Sequence, residues 1–186
     1  MKRAEWIKAN WPAAVEATAG SGIFPEVMLS QAIIESSGKN GEMPGSQLAK
    51  KYNNYFGILA SKGWTGEVVD FGTKADGVPV EFRVYNSPAD SFKDYIKFLS
   101  TKRYAKVRAA KNPYEQANLI EASGYAGKEG QAAKYGELLQ KIITQVGKVK
   151  GLVIKAGGLA KDNAGLLLTA AAAALLFSYG RKKRLQ

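Results

Sequence analysis

The sequence predicts an α+β fold, mostly helical with one small β-hairpin lobe, followed by a hydrophobic helix near the C-terminus. Three observations lead to this prediction. Most of residues 4–146 divides into helical segments, whereas a period-two pattern is confined to residues 64–85. Residues 164–180 carry no charge. With 186 residues, 46% of them hydrophobic, the chain can bury one core and still carry an appendage.

Boundary signals define the predicted helices. Pro25 suits a first helical turn, and Gly20 and Gly38 are typical of the loops on either side of the second helix. Ser87 followed by Asp90 has the pattern of a capping box. The resulting prediction places helices at about residues 4–19, 24–35, from 87 onward, 112–124 and 131–146.

The β element is a hairpin. Val78, Val80, Phe82 and Val84 alternate with other residues, which is typical of a strand with one buried face. Asp76-Gly77 supplies the turn, since this pair favours the tight turns of hairpins.

The chain is predicted to have four parts. Residues 1–146 form the folded domain, 147–163 a Gly- and Lys-containing linker, 164–180 a transmembrane helix and 181–186 a basic tail. At about 1.5 Å per residue the uncharged run spans roughly 25 Å, against about 30 Å of bilayer hydrocarbon. Charged and helix-breaking residues near the N-terminus interrupt any apolar core of a secretory signal there.

Composition restricts the chemistry. Without His or Cys the chain cannot use Ser-His or Cys-His catalysis and lacks the usual zinc ligands. Acid-base catalysis by carboxylates remains, and it needs neither cofactor nor metal. The net charge of +11 favours polyanionic partners, but the cations are spread along the sequence, so no specific nucleic-acid partner is predicted.

Glu35 is the first candidate for such catalysis. It ends an apolar helix and shares a stripe with Met28, Gln31 and Ala32, at the edge of buried surface. Burial and the negative end of the helix dipole both disfavour its ionised form, so we expect a raised pKa. A solvated Glu in a last helical turn is the alternative.

Several ordered motifs cover about residues 6–146. They read PEV and LSQA leading to Glu35-Ser36, then QLA, NNYFGI, GWTG, FRVYNS, SFKDY and GYA, with Tyr135 and Leu139 following. Together they resemble glycoside hydrolase family 73, the peptidoglycan endo-β-N-acetylglucosaminidases of bacteria and phages, which include flagellar-type muramidase-like domains.

The resemblance implies a lysozyme-like fold with Glu35 as general acid at a groove between an α lobe and a β lobe. The implied substrate is the β-1,4 bond between N-acetylglucosamine and N-acetylmuramic acid of peptidoglycan glycan strands. Tyr125 corresponds to an active-site tyrosine, and Asn54 and Phe56 to a groove-lining motif. Trp64 is a further candidate for substrate binding. Phe56 and Trp64, taken singly, also suit a hydrophobic core.

One position departs from the family. Where members often carry a Thr-x-Glu pattern, this chain has Thr73-Lys74-Ala75, and Asp76 follows one residue later. The second acid could therefore be Asp76, Glu67, Asp70 or Glu81. A water-activating base, participation by the substrate's acetamido group and a transglycosylase-like route all stay open.

The predicted role is that of a peptidoglycan hydrolase of a phage virion or lysis system, attached to a lipid membrane through residues 164–180. The expected location is a virion membrane or the bacterial envelope facing the wall, with other virion proteins as further partners. A non-catalytic glycan-binding protein that anchors a virion or wall structure is the main alternative. A basic membrane-remodelling or nucleic-acid-binding protein is a weaker one.

Overall fold

The computed structural model describes residues 1–61, 63–73, 77–125 and 134–156. The chain divides into two compact units, Met1–Val149 and Lys150–Gln186. The first unit contains every helix and strand labelled below.

The first unit is a helical protein with one two-stranded sheet, which confirms the predicted α+β class. Its elements are α1 (Arg3–Thr18), α2 (Pro25–Ser36), α3 (Gln47–Tyr52), β1 (Val68–Thr73), β2 (Pro79–Arg83), α4 (Pro88–Leu99), a 3₁₀ helix (Lys102–Tyr104), α5 (Ala105–Arg108), α6 (Pro113–Ala122) and residues 135–149 of α7, a helix that continues to residue 156.

Helix α2 runs through the centre of the core. Its residues from Glu26 to Ile33 are all buried, because the helix is apolar on most sides and packs against both α1 and α6. Pro25 occupies its first turn, as predicted. This buried helix ends at Ser36, so it brings Glu35 to the edge of the core.

Aromatic side chains fill the space between α1, α4 and the loop after α3. Phe92 and Tyr95 of α4 are fully buried, and Trp6 of α1 meets Phe92 edge to face. The ring of Phe56 stacks on Tyr95 with centroids 4.0 Å apart. These contacts fix α4 and the loop around residue 56 beside α2.

The sheet is an antiparallel hairpin, as predicted. Val68 lies opposite Arg83, and Asp70 lies opposite Glu81, with an irregular register between Asp70 and Thr73. Leu59 forms an isolated bridge with Phe82, which ties the loop after α3 to the outer edge of β2. Asp76, where the turn is predicted, lies outside the described residues, and Gly77 has a positive φ of 84°.

The structure differs from the sequence predictions at several short elements. Helix α3, the 3₁₀ helix and α5 were not predicted. Residues 147–156 were predicted to belong to a linker, but they are helical. A glycine weakens a helix without necessarily ending it.

The predicted transmembrane helix stays a prediction. The rest of the linker, residues 164–180 and the basic tail lie outside the described residues. In the part of the chain that is described, no helix is long and apolar enough to cross a bilayer.

Candidate active site

Glu35 opens onto a cavity of about 490 Å³ between the helices and the hairpin. The cavity brings together three of the predicted site residues, Glu35, Phe56 and Tyr125. The other described residues of its lining are Gly57, Ile58, Leu59, Ser61, Arg83 and Phe98.

The Glu35 carboxyl group is held by a tyrosine from the far end of the domain. The Tyr135 hydroxyl donates a hydrogen bond of 2.9 Å to Oε1 of Glu35. The residue keeps an exposed surface, yet desolvation of its carboxylate by the surrounding protein raises its pKa. The Tyr135 hydrogen bond opposes this rise. The raised pKa expected from the sequence is confirmed, with desolvation as its main cause.

Tyr125 lies among other aromatic side chains. Its ring is half-buried and lies edge-on to the rings of Tyr95, Phe98 and Tyr104. Burial raises the pKa of its hydroxyl well above the usual value, so the group is neutral. Its position in the cavity lining leaves it available as a neutral hydrogen-bonding group.

Arg103 fixes the backbone that leads into Tyr125. Its Nε and Nη2 donate to the carbonyl of Ser123 at 3.0 and 2.8 Å, and Nη2 also donates to the carbonyl of Gly124 at 2.8 Å. Gly124 has a φ of 71°, which a residue with a side chain rarely adopts.

Asn54 bonds to backbone groups in the structure, and its expected contact with substrate stays a prediction. Its Nδ2 donates to the carbonyls of Ile58 and Arg83, and its Oδ1 accepts from the backbone N–H of Ile58. The side chain is buried, and both of its N–H groups are used. Asn54 therefore shapes the loop that forms one wall of the cavity, from beneath that wall.

Phe56 and Trp64 differ in their positions. Phe56 is 5% exposed and belongs to the aromatic core, while also lining the cavity. Trp64 is half-buried outside the cavity lining, where its indole N–H donates to the carbonyl of Glu67. The guanidinium carbon of Arg83 lies 4.6 Å from the centre of the Trp64 ring. Trp64 thus supports a cavity residue instead of forming the cavity surface.

Arg83 is a cavity residue that the sequence reasoning missed. Its Nη1 forms a 2.7 Å ion pair with Asp94, Nε donates to the carbonyl of Leu59, and Nη2 donates to Ser61. Asp94 also accepts from the Tyr85 hydroxyl at 2.7 Å. Arg83 and Asp94 both lie in the motif segments quoted above, but only the fold shows that they pair.

Among the described residues of the cavity lining, Glu35 is the one carboxylate. Asp70 and Glu81 face each other across the hairpin, and both are exposed, as is Glu67. Asp76 lies outside the described residues. Within the described ranges no three acidic side chains gather as a metal site would require.

Comparison with known proteins identifies the domain. The family described as mannosyl-glycoprotein endo-beta-N-acetylglucosaminidase, the glucosaminidase family, matches residues 11–148, which is more than half of the chain. The chain belongs to the glucosaminidase family. The resemblance seen in its motifs is therefore confirmed, and the family is one of glycoside hydrolases.

Curated relatives share this domain within longer proteins. The chain is 30% identical over 129 residues to the peptidoglycan hydrolase FlgJ of Escherichia coli strain K12, a match covering 66% of this chain and 41% of that protein. It is 29% identical over 131 residues to the exo-glucosaminidase LytG of Bacillus subtilis, covering 64% and 44%. The glucosaminidase chain thus spans less than half the length of these relatives.

Solved structures show the same fold. The glycoside hydrolase domain of Salmonella typhimurium FlgJ aligns with a TM-score of 0.65 at 27% identity, covering 88% of this chain and 99% of that one. A peptidoglycan hydrolase from Sphingomonas sp. A1 aligns with a TM-score of 0.63 at 25% identity, covering 81% and 94%. The lysozyme-like fold expected for the domain is confirmed.

Proposed function

We propose that this chain hydrolyses peptidoglycan at the β-1,4 bond between N-acetylglucosamine and N-acetylmuramic acid, with Glu35 as general acid. The observation that carries the proposal is the desolvated Glu35 carboxyl group, held by Tyr135 at the wall of a cavity in a glucosaminidase-family domain. The names of the relatives FlgJ and LytG support both the polymer and the sugar.

The chemistry begins with a proton. A carboxylic acid whose pKa is raised keeps its proton closer to neutral pH, and Glu35 transfers that proton to the departing glycosidic oxygen. The carboxylate that remains is stabilised by the hydrogen bond from Tyr135. Tyr125, as a neutral hydroxyl in the lining, hydrogen-bonds the sugar.

The second half of the reaction has one described carboxylate to work with. Because Glu35 is the one carboxylate among the described lining residues, we propose that the substrate's own acetamido group assists departure of the leaving group. Water then opens the resulting intermediate, with the Glu35 carboxylate as base. Activation of water by Asp76 and an intramolecular, transglycosylase-like ring closure are the competing routes. The first would be recognised by loss of activity in Asp76→Asn, and the second by anhydro ends in the products.

Product analysis tests this function. Purified full-length chain is incubated with cell walls, the new ends are reduced with borohydride, and the fragments are weighed by mass spectrometry. We expect reduced N-acetylglucosamine ends. Reduced N-acetylmuramic acid ends would reassign the bond, and anhydro ends would establish the transglycosylase-like route.

A non-catalytic glycan-binding role is the second candidate, and one observation favours it: Ala75 stands where family members often carry a carboxylate. Under that role the protein would sediment with walls and release no new ends. Walls bound without cleavage would therefore overturn the enzymatic proposal.

We further propose that residues 164–180 attach the enzyme to a lipid membrane, in a phage virion or in the bacterial envelope facing the wall. The uncharged run and the four cations at residues 181–184 support this. Deleting residues 160–186 should move the protein from the membrane fraction to the soluble fraction and leave cleavage of isolated walls intact. A full-length chain that is equally soluble without detergent would contradict the attachment.

A further inference from the structure

A chain of buried hydrogen bonds continues inward from Glu35. Tyr135, which donates to Oε1 of Glu35, accepts a hydrogen bond of 3.1 Å from Nε2 of Gln31. The Oε1 atom of Gln31 in turn accepts from the hydroxyl of Tyr95. Gln31 and Tyr95 are fully buried, and neither lines the cavity.

The direction of this chain follows from the number of protons that each group has. A tyrosine hydroxyl has one proton, and the nitrogen of an amide cannot accept a hydrogen bond. Tyr95 therefore donates its hydrogen bond to Oε1 of Gln31, which turns the amide N–H towards Tyr135. Because Tyr135 already accepts from that N–H, its own O–H donates to Glu35.

A reversed Gln31 amide would have the opposite effect. Its oxygen would face Tyr135 and accept a hydrogen bond from the tyrosine hydroxyl, so Glu35 would lose its hydrogen-bond donor. The Tyr95 hydroxyl opposes this reversal, since the observed orientation gives its proton an acceptor within the core. Gln31 also lies one helical turn before Glu35 on α2. The residue that orients Tyr135 and the carboxyl group that Tyr135 contacts therefore belong to the same helix.

We propose that Gln31 and Tyr95 are positioning residues that orient the Tyr135 O–H so that it donates a hydrogen bond to Oε1 of Glu35. The proton transferred in the reaction is then carried by Oε2. The inference rests on the proposed role of Glu35 as general acid. It adds that one particular oxygen of Glu35 carries the catalytic proton, and that two residues outside the cavity lining determine which oxygen this is.

The decisive variants are Tyr95→Phe and Gln31→Met, with Tyr104→Phe as the matched control. Tyr95→Phe keeps the ring that stacks on Phe56 and removes the proton that orients the amide. Gln31→Met keeps a side chain of similar length and removes the amide. Tyr104 is a buried tyrosine of the same aromatic cluster that is outside this chain of hydrogen bonds.

The first readout needs no activity. Carboxyl ¹³C NMR follows the titration of Glu35 in each full-length variant. Losing a hydrogen bond to the charged form raises a carboxyl pKa, by about one unit for a bond to a charged group. We expect the Glu35 midpoint to rise by up to that amount in Tyr95→Phe and Gln31→Met and to stay at the wild-type value in Tyr104→Phe.

The second readout is the pH–rate profile of wall cleavage. In Tyr95→Phe and Gln31→Met, kcat should fall about tenfold, as expected for a misoriented catalytic group. The alkaline limb of the profile should move to higher pH together with the Glu35 midpoint. KM should change less than twofold, because neither residue lines the cavity.

The double variant Gln31→Met/Tyr95→Phe separates positioning from folding. It removes both partners of the buried hydrogen bond, so it should recover thermal stability relative to either single variant. Under our proposal it keeps the shifted Glu35 midpoint and the reduced kcat.

Two results would overturn the proposal: wild-type Glu35 titration in the folded single variants, or recovery of both midpoint and kcat in the double variant. The titration is meaningful even if Glu35→Gln leaves cleavage intact, so failure of the proposed function is distinguishable from failure of this inference.

Discussion

The helical and hairpin sides of the cavity hold their charged groups in different ways. On the helical side, Glu35 is partly desolvated, its pKa is raised, and a neutral hydroxyl is its hydrogen-bond partner. On the hairpin side, Arg83 is ion-paired with Asp94, while the carboxylates Asp70 and Glu81 face solvent.

The comparison separates an acid from a scaffold. The neutral partner of Glu35 brings no opposite charge to the carboxyl group, whereas Arg83 and Asp94 compensate each other's charge. The helical side is therefore suited to proton transfer, and the ion pair of the hairpin side is suited to holding the shape of the cavity.

The largest expected effect is on the helical side. Glu35→Gln is nearly isosteric, so the fold and wall binding should persist, but the amide cannot give a proton to the leaving oxygen. Cleavage should slow by about 10²- to 10⁴-fold, equivalent to roughly 3 to 5 kcal/mol of transition-state stabilisation. Initial rates of release of reducing ends measure this, with wall co-sedimentation as the binding control. Near wild-type rates would remove Glu35 from the reaction.

The matching changes on the hairpin side should have little effect. Asp76→Asn, Glu67→Gln, Asp70→Asn and Glu81→Gln should each retain most of the activity, since Asn also suits the turn predicted at residue 76. A loss of about 10²-fold or more in any one of them would identify that residue as the base. Such a result would replace acetamido participation with activation of water by a second carboxylate.

The ion pair of the hairpin side should matter for stability. Arg83→Met leaves Asp94 largely buried without its cation, which should lower the free energy of unfolding by about 3 kcal/mol. Lys93→Met is the control, because the Lys93–Glu16 pair is exposed and should contribute less than about 1 kcal/mol. Urea unfolding of both variants compares the pairs, and equal losses would contradict the scaffold role of Arg83.

Asn54 should also act through stability. Asn54→Ala leaves the carbonyls of Ile58 and Arg83 and the N–H of Ile58 without their side-chain partner. We expect a loss of about 1 to 3 kcal/mol in the free energy of unfolding. If instead stability is unchanged and KM for walls rises, Asn54 contacts substrate as the family motif first suggested.

The smallest expected effect is on the pH dependence of stability, which follows from the raised pKa of Glu35. Its folded pKa lies above the unfolded value, so its contribution to stability is present below the unfolded pKa and is lost as pH rises through the folded pKa. Glu35→Gln removes this dependence. The variant should therefore become more thermostable relative to wild type as pH rises from about 4 to 7, the pH range that follows from the direction of the shift. Melting temperatures in a pH series test this, and a constant difference would contradict it.

Much of the fold follows from local signals in the sequence. Helix α2 was predictable because Pro25 starts it and its apolar residues continue to Glu35. The hairpin was predictable from the alternation in β2 and the Asp76-Gly77 pair. Helix α3 has six residues, too few to show a helical period, although Ser46 caps it.

The site was predictable only where one element defines it. Glu35 stands out because its position on α2 determines its burial. The partners Tyr135 and Gln31 are 104 residues apart, so no local pattern could connect them. Asn54 illustrates the converse, since a local motif singles it out but does not show that its side chain bonds to the backbone of the loop and of Arg83.

The most direct test of the account is to measure the pH dependence of wall cleavage alongside the titration of the Glu35 carboxyl group in the same full-length protein. We predict that the rate falls on an alkaline limb whose midpoint lies above the ordinary value of 4.5 and coincides with the Glu35 midpoint. A Glu35 that titrates at or below 4.5, or a limb that does not follow its titration, would contradict the assignment of Glu35 as the proton donor.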